Sequence, residues 1–483
     1  MIATRAELHA SRAIFEDARS GRTVTYRQLH TAVSEWTRRL DAMGAGPGAV
    51  VVVDVPDPLT FAVVFIAVIA SGRCALPVDP RAPIGELLRV LLGVRPVVVV
   101  GTRPELAVVC DALFISPTAE PVRSGPISLA RRGSVLLSTS GSTGEPKAVH
   151  LTEHQLLHVA GAVVRHHRLT DDDRGYNCLP LFHINGEVVA LLATLTAGGC
   201  LVLDQRFHAS GFWELLANKR ITWLNAVPAI LSVLSGDITG SESSCTDLRF
   251  IRSASAPLPS IVRKRISEAT GVPIVESYGM TEAASQITAT PLDGPTPLGS
   301  CGRPVGVQLE IRGPDGAVLP PEQIGHVHIR GAGVISGYRG GRAHERFDAQ
   351  GWMDTGDLGR IDAAGFVYLT GRSDDVINRG GELLYPREIE EVLLADPGVR
   401  DAVVVGRSDP VLGSVPVAFV VSTLPQRDGG TALARQLHEH CARQLTSFKC
   451  PAEIRFVDDF PRAATGKVRR HMLRIQAHDA VGT

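Results

Sequence analysis

The chain has 483 residues, of which 44% are hydrophobic and 20% are charged. A single hydrophobic core stops growing well below this length, so we expect more than one domain. With 49 basic and 50 acidic residues the net charge is −1, which offers no basic surface to nucleic acid or anionic lipid and leaves small molecules or a neutral protein as partners.

The eight cysteines are scattered without a CxxC pair, so the sequence predicts neither a zinc site nor a disulfide framework. Residues 1–21 contain acidic side chains and no long apolar run, which argues against a signal peptide. The most apolar segment, 59–70, is too short to span a bilayer, and we predict that it forms a buried helix. We expect a cytoplasmic protein without a membrane span.

Short β-branched runs alternate with helical patterns over the first part of the chain. We predict strands at 49–55, 96–100, 200–203 and 221–226 and helices at 59–70 and 211–219. Such alternation is typical of an α/β protein whose parallel sheets are covered by helices. From about residue 295 the pattern of predicted elements changes to turns and short strands, with strands at 307–311, 325–330 and 365–370.

The pattern of predicted elements changes again after the segment Gly371-Arg372-Ser373-Asp374-Asp375. We predict helices at 386–394 and 431–445 and strands at 401–406 and 415–421. These elements suit a compact α+β unit of the size of a small domain. The sequence therefore predicts a large first domain over 1–372 and a small second domain over 373–483, with a hinge at 372–375.

A strand candidate at 134–137 leads into the segment 138–147, STSGSTGEPK. Its glycines let backbone N–H groups turn toward an anion, its hydroxyls can donate to phosphate oxygens, and its lysine adds a positive charge. These residues are Thr139, Ser140, Gly141, Ser142, Thr143, Gly144 and Lys147. No GK[ST] closes the loop, so it is not a Walker loop. The alternative interpretation of segment 138–147 is a solvated linker without a binding role. A linker does not normally join two buried strands, such as those predicted at 134–137 and 148–151.

This segment resembles the signature of the adenylate-forming superfamily, which contains acyl-CoA synthetases, peptide-synthetase adenylation domains and luciferases. The resemblance covers most of the chain and is strongest for the carboxylate–CoA ligases, such as those for oxalate, 4-coumarate and short-chain acids. It implies a large N-terminal adenylation domain of parallel sheets and helices with a β-rich subdomain, and a small mobile C-terminal domain. It also implies ATP, Mg²⁺ and CoA, or the phosphopantetheine of a carrier protein.

Further segments resemble the family's nucleotide motifs. Residues 277–282, SYGMTE, look like the YGxTE segment, which implies that Ser277, Tyr278 and Gly279 border adenine, Thr281 contacts phosphate and Glu282 holds Mg²⁺ together with Thr143. The small-residue loop after 250–253 implies adenine contacts from Ser255, Ala256 and Pro257. A TGD motif implies that Asp357 accepts hydrogen bonds from the ribose hydroxyls, with Arg372 nearby.

The last third of the chain matches the family's mobile parts. Asp374 stands at the hinge position, and Gly380 and Gly381 match the loop that admits the thiol arm. Lys467, in PRAATGK, matches the lysine that reaches the reacting carboxylate and the α-phosphate. A solvated basic tail is the alternative interpretation of that segment, because Arg469, Arg470 and Arg474 follow.

Residues 179–187, LPLFHINGE, resemble the PxFHxxG segment, in which His183 gates the acyl pocket. By the same resemblance the pocket contains His183, Asn185, Val189, Ser253, Ser277, Gly279 and Ser285, with Asn225, Arg252 and Gln286 as further candidates. Several of these side chains are polar, which disfavours a long alkyl chain. No aspartate stands where an α-amino group would need one. We therefore predict a small or medium acid that is polar or aryl.

The predicted reaction has two steps: the acid displaces pyrophosphate from ATP to form an acyl-AMP, and a thiol then displaces AMP. Lys467, Thr281, Glu282 and His183 are the predicted catalytic residues. Two alternatives stay open at this point. One is an enzyme that loads an acyl carrier protein instead of CoA, and the other is a non-catalytic nucleotide-binding protein derived from the same fold.

Overall fold

The computed structural model describes residues 1–91, 93–118, 132–140, 146–236, 238, 240–340, 344–423, 430–462 and 467–479, with the backbone alone at 89, 139, 140, 146, 241, 243 and 479. Its α-helices are α1 (Ile2–Leu8), α2 (Tyr26–Ala42), α3 (Pro58–Ala70), α4 (Ile84–Leu91), α5 (Pro104–Cys110), α6 (Glu153–His167), α7 (Ala193–Ala197), α8 (Phe212–Asn218), α9 (Pro228–Gly236), α10 (Ser260–Thr270), α11 (Pro386–Leu394), α12 (Thr431–Gln444) and α13 (Arg470–Asp479). A π-helix covers Asn185–Leu192.

The strands are β1 (Ala13–Asp17), β2 (Thr23–Thr25), β3 (Val50–Asp54), β4 (Cys74–Pro77), β5 (Val98–Gly101), β6 (Leu113–Ile115), β7 (Ser134–Ser140), β8 (Pro146–Thr152), β9 (Arg174–Asn177), β10 (Cys200–Leu203), β11 (Trp223–Ala226), β12 (Phe250–Ala254), β13 (Ile274–Met280), β14 (Ser285–Ala289), β15 (Arg303–Pro304), β16 (Gln308–Arg312), β17 (Gly325–Arg330), β18 (Met353–Ile361), β19 (Val367–Arg372), β20 (Ile377–Arg379), β21 (Glu382–Leu384), β22 (Val399–Asp409), β23 (Gly413–Ser422) and β24 (Glu453–Phe456).

Two mixed sheets form the large part of the molecule. The first has the order β15-β14-β13-β12-β11-β9-β10-β1-β2 and is parallel from β13 to β1. The second has the order β6-β5-β3-β4-β7-β8 and is parallel except for β8. Because parallel strands need crossover helices, both sheets are covered by helices, as the sequence predicts.

Helix α3 shows why the two sheets share one core. Asp57 accepts a hydrogen bond from Thr60 N at 3.0 Å and Pro58 occupies the first turn, so the helix has a defined start. Most of its side chains are buried, and it contacts β3 and β4 of one sheet and β1 of the other. A helix that is apolar on all sides must lie in the interior. No helix in the described residues is long and apolar enough to cross a membrane.

Two smaller sheets complete the fold. Strands β16 to β19 form an antiparallel sheet, and β20 to β24 form the last sheet, which packs on α11, α12 and α13. These are the β-rich part and the C-terminal α+β unit that the sequence predicts. Strand β19 ends at Arg372, and a short 3₁₀ turn over Ser373–Asp375 leads into the last sheet. The division at 372/373 and the mobility of the second part stay predictions.

The predicted α/β class is confirmed, and several predicted elements have the bounds observed, such as 200–203, 325–330 and 386–394. The sequence analysis missed three long helices, α2, α6 and α10. Each buries one face in a hydrophobic core and exposes the other, so its sequence mixes apolar and polar residues. Helices α2 and α6 begin with capping boxes, Thr25 with Gln28 and Thr152 with Gln155, which are local signals that the analysis did not use.

Strand β9 packs tightly against its neighbour, and this contact can be tested. A Cβ atom on Gly175 would lie 2.5 Å from ring atoms of the buried Trp223. We expect Gly175→Ala to lower the free energy of unfolding by roughly 1–3 kcal/mol through overpacking. Gly85→Ala is the control: at this exposed position of helix α4 the added methyl meets nothing within 4 Å, so the free energy of unfolding should rise by up to about 1 kcal/mol. Equal effects in urea unfolding would contradict this account of the packing.

Candidate active site

The carboxyl ends of β9, β11, β12 and β13 meet at one edge of the first sheet. In register, Asn177 pairs with Asn225 and Asn225 with Arg252, so the three side chains form a row across adjacent strands. Open α/β sheets bind ligands outside the carboxyl ends of their strands. Most of the residues singled out by sequence lie along this edge or on the neighbouring sheet.

The predicted ribose and adenine residues come together where β13 approaches the antiparallel sheet. The hydroxyl of Tyr278 donates to Asp357 Oδ2 at 2.5 Å, and Arg372 Nη1 donates to Asp357 Oδ1 at 3.1 Å and to the Thr355 carbonyl at 3.0 Å. Strands β18 and β19 pair Asp357 directly with Arg372. In the sequence, Tyr278 stands 79 positions before Asp357 and 94 positions before Arg372. The fold therefore brings together side chains that are distant along the chain.

Charge and burial shape the ionisation of this cluster. Burial raises the pKa of the Tyr278 phenol well above its usual value, and the Asp357 carboxylate adds to the effect. Burial opposes the charge on Arg372, but Asp357 together with Asp374 and Tyr278 more than offsets this and raises the pKa of the guanidinium. The cluster therefore places a neutral phenol and a charged guanidinium on the carboxyl group of Asp357. Together they offer both acceptors and donors to a ribose and an aromatic base.

A second cluster surrounds Glu282, which follows Thr281 in a 3₁₀ turn after β13. Glu282 Oε1 accepts a hydrogen bond from the hydroxyl of Tyr338 at 2.7 Å, and that hydroxyl also accepts from Arg346 Nη1 at 2.7 Å. The ammonium of Lys147 lies 5.3 Å from the centre of the Tyr338 ring. Lysine, arginine and carboxylate therefore lie close together here, as a site for phosphate and a divalent cation requires.

The predicted phosphate loop connects β7 and β8. These strands pair antiparallel, with Thr139 opposite Lys147 and Ser140 opposite Pro146. The flanking strands are thus confirmed. Gly141, Ser142, Thr143 and Gly144 lie outside the described residues, as do the side chains of Thr139 and Ser140, so the contacts of the loop stay a prediction.

The backbone after β12 and β13 has unusual conformations. Ser255, Ala284 and Ser285 have φ values of 75°, 50° and 101°, and such positive values in residues other than glycine often occur at functional sites. A Cβ atom on Gly279 would lie 1.6 Å from the Ser285 carbonyl oxygen, so only glycine fits. Ser255, with Ala256 and Pro257 after it, forms an exposed loop at the end of β12.

The predicted acyl residues border the same edge. Asn185 and Val189 belong to the π-helix, a form often found at functional sites. His183 precedes it, with its ring 4.7 Å from that of Phe182. Burial lowers the pKa of His183 to about 4, while nearby Asp79 partly opposes the shift, so this imidazole is neutral at pH 7. Its Nε2 atom is buried and has no hydrogen-bond partner among the described residues.

A hydrogen-bonded polar network lies beneath this region. Arg252 donates to Asn185 Oδ1, Asn225 Oδ1 and Ser277 Oγ, each at 3.1 Å. Asn225 in turn donates to Asn177 at 2.9 Å, and Ser277 donates to Gln286 Oε1 at 3.3 Å. Sequence analysis proposed all of these except Asn177 as pocket residues. Ser253, also proposed, is buried but its hydroxyl has no partner among the described residues.

Sequence analysis missed Tyr338, Arg346 and Asn177 as site residues. Tyr338 and Arg346 lie in a turn-rich stretch that carries none of the motifs used, so their approach to Glu282 is visible only in three dimensions. Asn177 ends β9, a parallel strand that the sequence analysis did not predict. Had that strand been predicted, the polar side chain at its terminus would have been the signal. Glu187, noted for its position, is fully buried without a partner for either oxygen in the described part, and burial raises its pKa well above the usual value.

The predicted C-terminal residues lie in distinct places. Asp374 is in the 3₁₀ turn after β19, where its carbonyl accepts from Arg474 at 3.0 Å. Gly380 and Gly381, with φ values of 62° and 97°, form the tight turn between β20 and β21. Lys467 is exposed, and no hydrogen bond or ion pair joins it to Thr281, Glu282 or Asp357 in the described part of the chain.

Comparison with known proteins identifies this arrangement. Residues 2–339 match the family described as AMP-binding enzyme, and residues 388–467 match the AMP-binding enzyme C-terminal domain. The sulfoacetate–CoA ligase of Cupriavidus necator is 36% identical over 97% of this chain and 96% of its own length. The oxalate–CoA ligase of Arabidopsis thaliana is 32% identical over 93% of each chain.

Solved structures agree with this. ATP-bound MatB from Rhodopseudomonas palustris superposes with a TM-score of 0.87 at 28% identity, over 99% of both chains. The o-succinylbenzoate CoA synthetase MenE of Bacillus subtilis, in complex with its acyl-adenylate intermediate, gives 0.85 at 28% identity over 98% of this chain and 97% of that one. The chain belongs to the AMP-binding enzyme family. Within that family it is an AMP-forming acid–thiol ligase.

The buried imidazole of His183 makes a testable contribution to the pH dependence of stability. Its folded pKa of about 4 lies below the unfolded value near 6.5, so the unfolded chain takes up the proton first. The stability it contributes is complete above about pH 6.5 and is lost as the pH falls toward 4. When the pH falls from about 7.5 to about 5, the free energy of unfolding of the wild type should decrease by about 2 kcal/mol more than that of His183→Gln.

The measurement is urea unfolding of both proteins at the two pH values. His30→Gln, which alters an exposed histidine, is the matched control and should follow wild type. If His183→Gln and wild type lose the same free energy of unfolding, the imidazole is not held neutral by burial.

Proposed function

We propose that this enzyme activates a small or medium carboxylic acid, polar or aryl rather than an α-amino acid, and passes the acyl group to CoA. The observation that supports it best is that β13 and the turn after it carry both Tyr278, which contacts Asp357, and Glu282, which contacts Tyr338. The Tyr278–Asp357–Arg372 cluster suits a nucleoside, and the cluster of Glu282, Tyr338 and Lys147 suits its phosphates. Beside them lies a partly polar pocket for the acid.

In the first step a carboxylate oxygen attacks the α-phosphorus of ATP. A bond forms between that oxygen and phosphorus while the bond to the bridging oxygen of the β-phosphate breaks, so pyrophosphate leaves. Tyr278, Asp357 and Arg372 orient the nucleoside, and Thr281, Lys147 and the 138–147 loop hold the phosphates. Positioning and charge stabilisation supply most of the rate in transfers at phosphorus.

The residues around Glu282 fit a magnesium ion. The carboxylate is buried and hydrogen-bonded, and Mg²⁺ usually takes one or two carboxylates together with substrate phosphates and water. Among the described residues no group of three or more His, Cys, Asp or Glu side chains is arranged to hold a metal by itself, which agrees with a site completed by the nucleotide. Glu282 and Thr143 are the proposed ligands, and the ion would neutralise phosphate charge.

In the second step the sulfur of CoA attacks the carbonyl carbon of the acyl-AMP. A carbon–sulfur bond forms, the carbon–oxygen bond to AMP breaks, and AMP leaves with that oxygen while the thiol proton passes to solvent. The proposed role of Lys467 belongs to the first step, and rotation about Asp374 would exchange it for the Gly380–Gly381 turn. His183 borders the acyl pocket as a neutral gate and does not act as a base.

The relatives favour CoA over a carrier protein as acceptor, because those of similar length are named as CoA ligases. A direct comparison decides between them. We expect free CoA to raise the steady-state rate of AMP formation with a good acid, and a phosphopantetheinylated carrier protein to do so far less. Faster turnover with the carrier protein than with saturating CoA would contradict this proposal.

The role of Lys467 is tested by separating the two steps. Removing a cation aimed at developing negative charge should slow acid-dependent pyrophosphate release by about 10²–10³-fold in Lys467→Ala. Conversion of a supplied acyl-AMP to acyl-CoA should stay within a few-fold of wild type. Lys264→Ala, which removes an exposed lysine of α10, is the control. Equal losses in both steps, or none in the first, would refute the assignment.

A further inference from the structure

The guanidinium of Arg252 is a buried positive charge without a carboxylate partner. The residue is 1% exposed, and its Nη1 and Nη2 atoms donate only to neutral oxygens, those of Asn185, Asn225 and Ser277. Among the described residues no aspartate or glutamate forms an ion pair with it. Burying a charge without a counter-charge is costly. Burial lowers the pKa of Arg252 to about 9, which still leaves the group cationic at pH 7.

Within the hydrogen-bonded network of Arg252, three buried side-chain atoms lack a partner among the described residues, and all three are N–H donors. They are Arg252 Nε, Asn185 Nδ2 and Gln286 Nε2. Asn185 accepts a hydrogen bond from Arg252 directly, and Gln286 is linked to it through Ser277. A nitrogen of this kind cannot accept a hydrogen bond, so the cluster needs acceptors that the described residues do not provide. Positive charge with unused donors is complementary to an anion with several oxygens, such as a carboxylate or a sulfonate.

Among the described residues no buried acid forms an ion pair with this guanidinium. Glu187 lies on the same π-helix as Asn185, but it too forms no ion pair with Arg252 in the described chain. Burial raises the pKa of Glu187 well above its usual value, which disfavours the carboxylate form. His167, which is also fully buried, is held in its neutral form because burial lowers its pKa well below the usual value and Arg252 adds to the shift.

The position of Arg252 suits the far end of a bound acid. It lies on β12 three residues before Ser255, whose loop stands at the edge where the nucleotide residues gather. Three residues of extended chain cover about 10 Å. An acid whose reacting carboxylate is at that edge can therefore extend a second group toward the guanidinium only if it is short.

We propose that Arg252, with Asn185 and Gln286, binds a second anionic group on the substrate, so that the preferred acids are short dianions. This inference rests on the proposed function and narrows its substrate class. Sulfoacetate and oxalate, the acids in the names of two relatives, each carry a second acidic group. Arg252 is thus a specificity-determining residue and not one that acts on the reacting atoms.

The test compares acids of matched shape that differ in one charge. Sulfoacetate is paired with 3,3-dimethylbutanoate, and malonate with 3-methylbutanoate, and kcat/KM is measured from ATP-dependent pyrophosphate release in the presence of CoA. A site built to hydrogen-bond a group strongly rejects the analogue that lacks it. We expect at least one dianion to be preferred over its monoanionic partner by about 100-fold or more.

Three variants attribute the preference to the guanidinium. Arg252→Met should reduce it to less than about tenfold, mainly by raising the KM of the dianion, and Arg252→Lys should restore part of it. Asn185→Asp adds a carboxylate of the same shape beside Arg252, so it should also abolish the preference without disturbing the fold. Arg265→Met, a surface change on α10, should leave the preference unchanged.

The outcomes separate this inference from the proposed function. If wild type uses the monoanionic acids as well as the dianions, or if both Arg252→Met and Asn185→Asp keep the preference, the second-anion site is refuted while the ligase assignment stands. If no acid of any class releases pyrophosphate, the proposed function fails and this inference fails with it. If the melting curve shows that Arg252→Met does not fold, the preference of Asn185→Asp for dianions is the deciding measurement. A preference equal to that of the wild type then refutes the second-anion site.

Discussion

The in-register pairing of β9, β11, β12 and β13 is the constraint on which the site depends. Parallel pairing places equivalent positions of adjacent strands side by side, so Asn177, Asn225 and Arg252 must form one row. Side chains in such a row would normally be apolar, since both faces of a parallel sheet are buried. Here they are polar and hydrogen-bonded to one another, which stabilises a buried charge at the carboxyl edge of the sheet.

Around that edge the chain positions two kinds of group from different sheets. Strand β13 supplies Tyr278 and leads into Glu282, while β18 and β19 of the antiparallel sheet supply Asp357 and Arg372. The hydrogen bond between Tyr278 and Asp357 therefore joins two sheets as well as two residues. The geometry of this hydrogen bond depends on how the two sheets pack against each other. A change in that packing would therefore also change the shape of the nucleotide site.

Local backbone features let these groups approach closely. The absence of a side chain at Gly279 allows the Ser285 carbonyl to pack against it, and Ser285 has a positive φ. The π-helix at Asn185–Leu192 directs Asn185 toward Arg252 while Val189 stays buried. Strained or irregular backbone of this kind persists only where the surrounding structure holds it in place, and here both neighbouring sheets do so.

The sequence by itself determined the class of the fold and, through its resemblance to the family, predicted most residues of the nucleotide site. Runs of β-branched residues such as 200–203 and 221–226 predict buried parallel strands. Segments 277–282 and 352–357 point to Tyr278, Glu282 and Asp357 because they resemble the family's motifs. The predicted roles of Lys467, Asp374 and the Gly380–Gly381 turn likewise come from sequence and stay predictions.

Only the tertiary structure decided which distant side chains meet. Tyr338 and Arg346 reach Glu282 across more than 50 residues of chain, and no local pattern encodes that approach. That no described carboxylate pairs with Arg252 is also invisible in the sequence, where acidic residues are as frequent as basic ones. Whether a buried charge is paired depends on strand order and register, which arise from the packing of the whole domain and not from any segment alone.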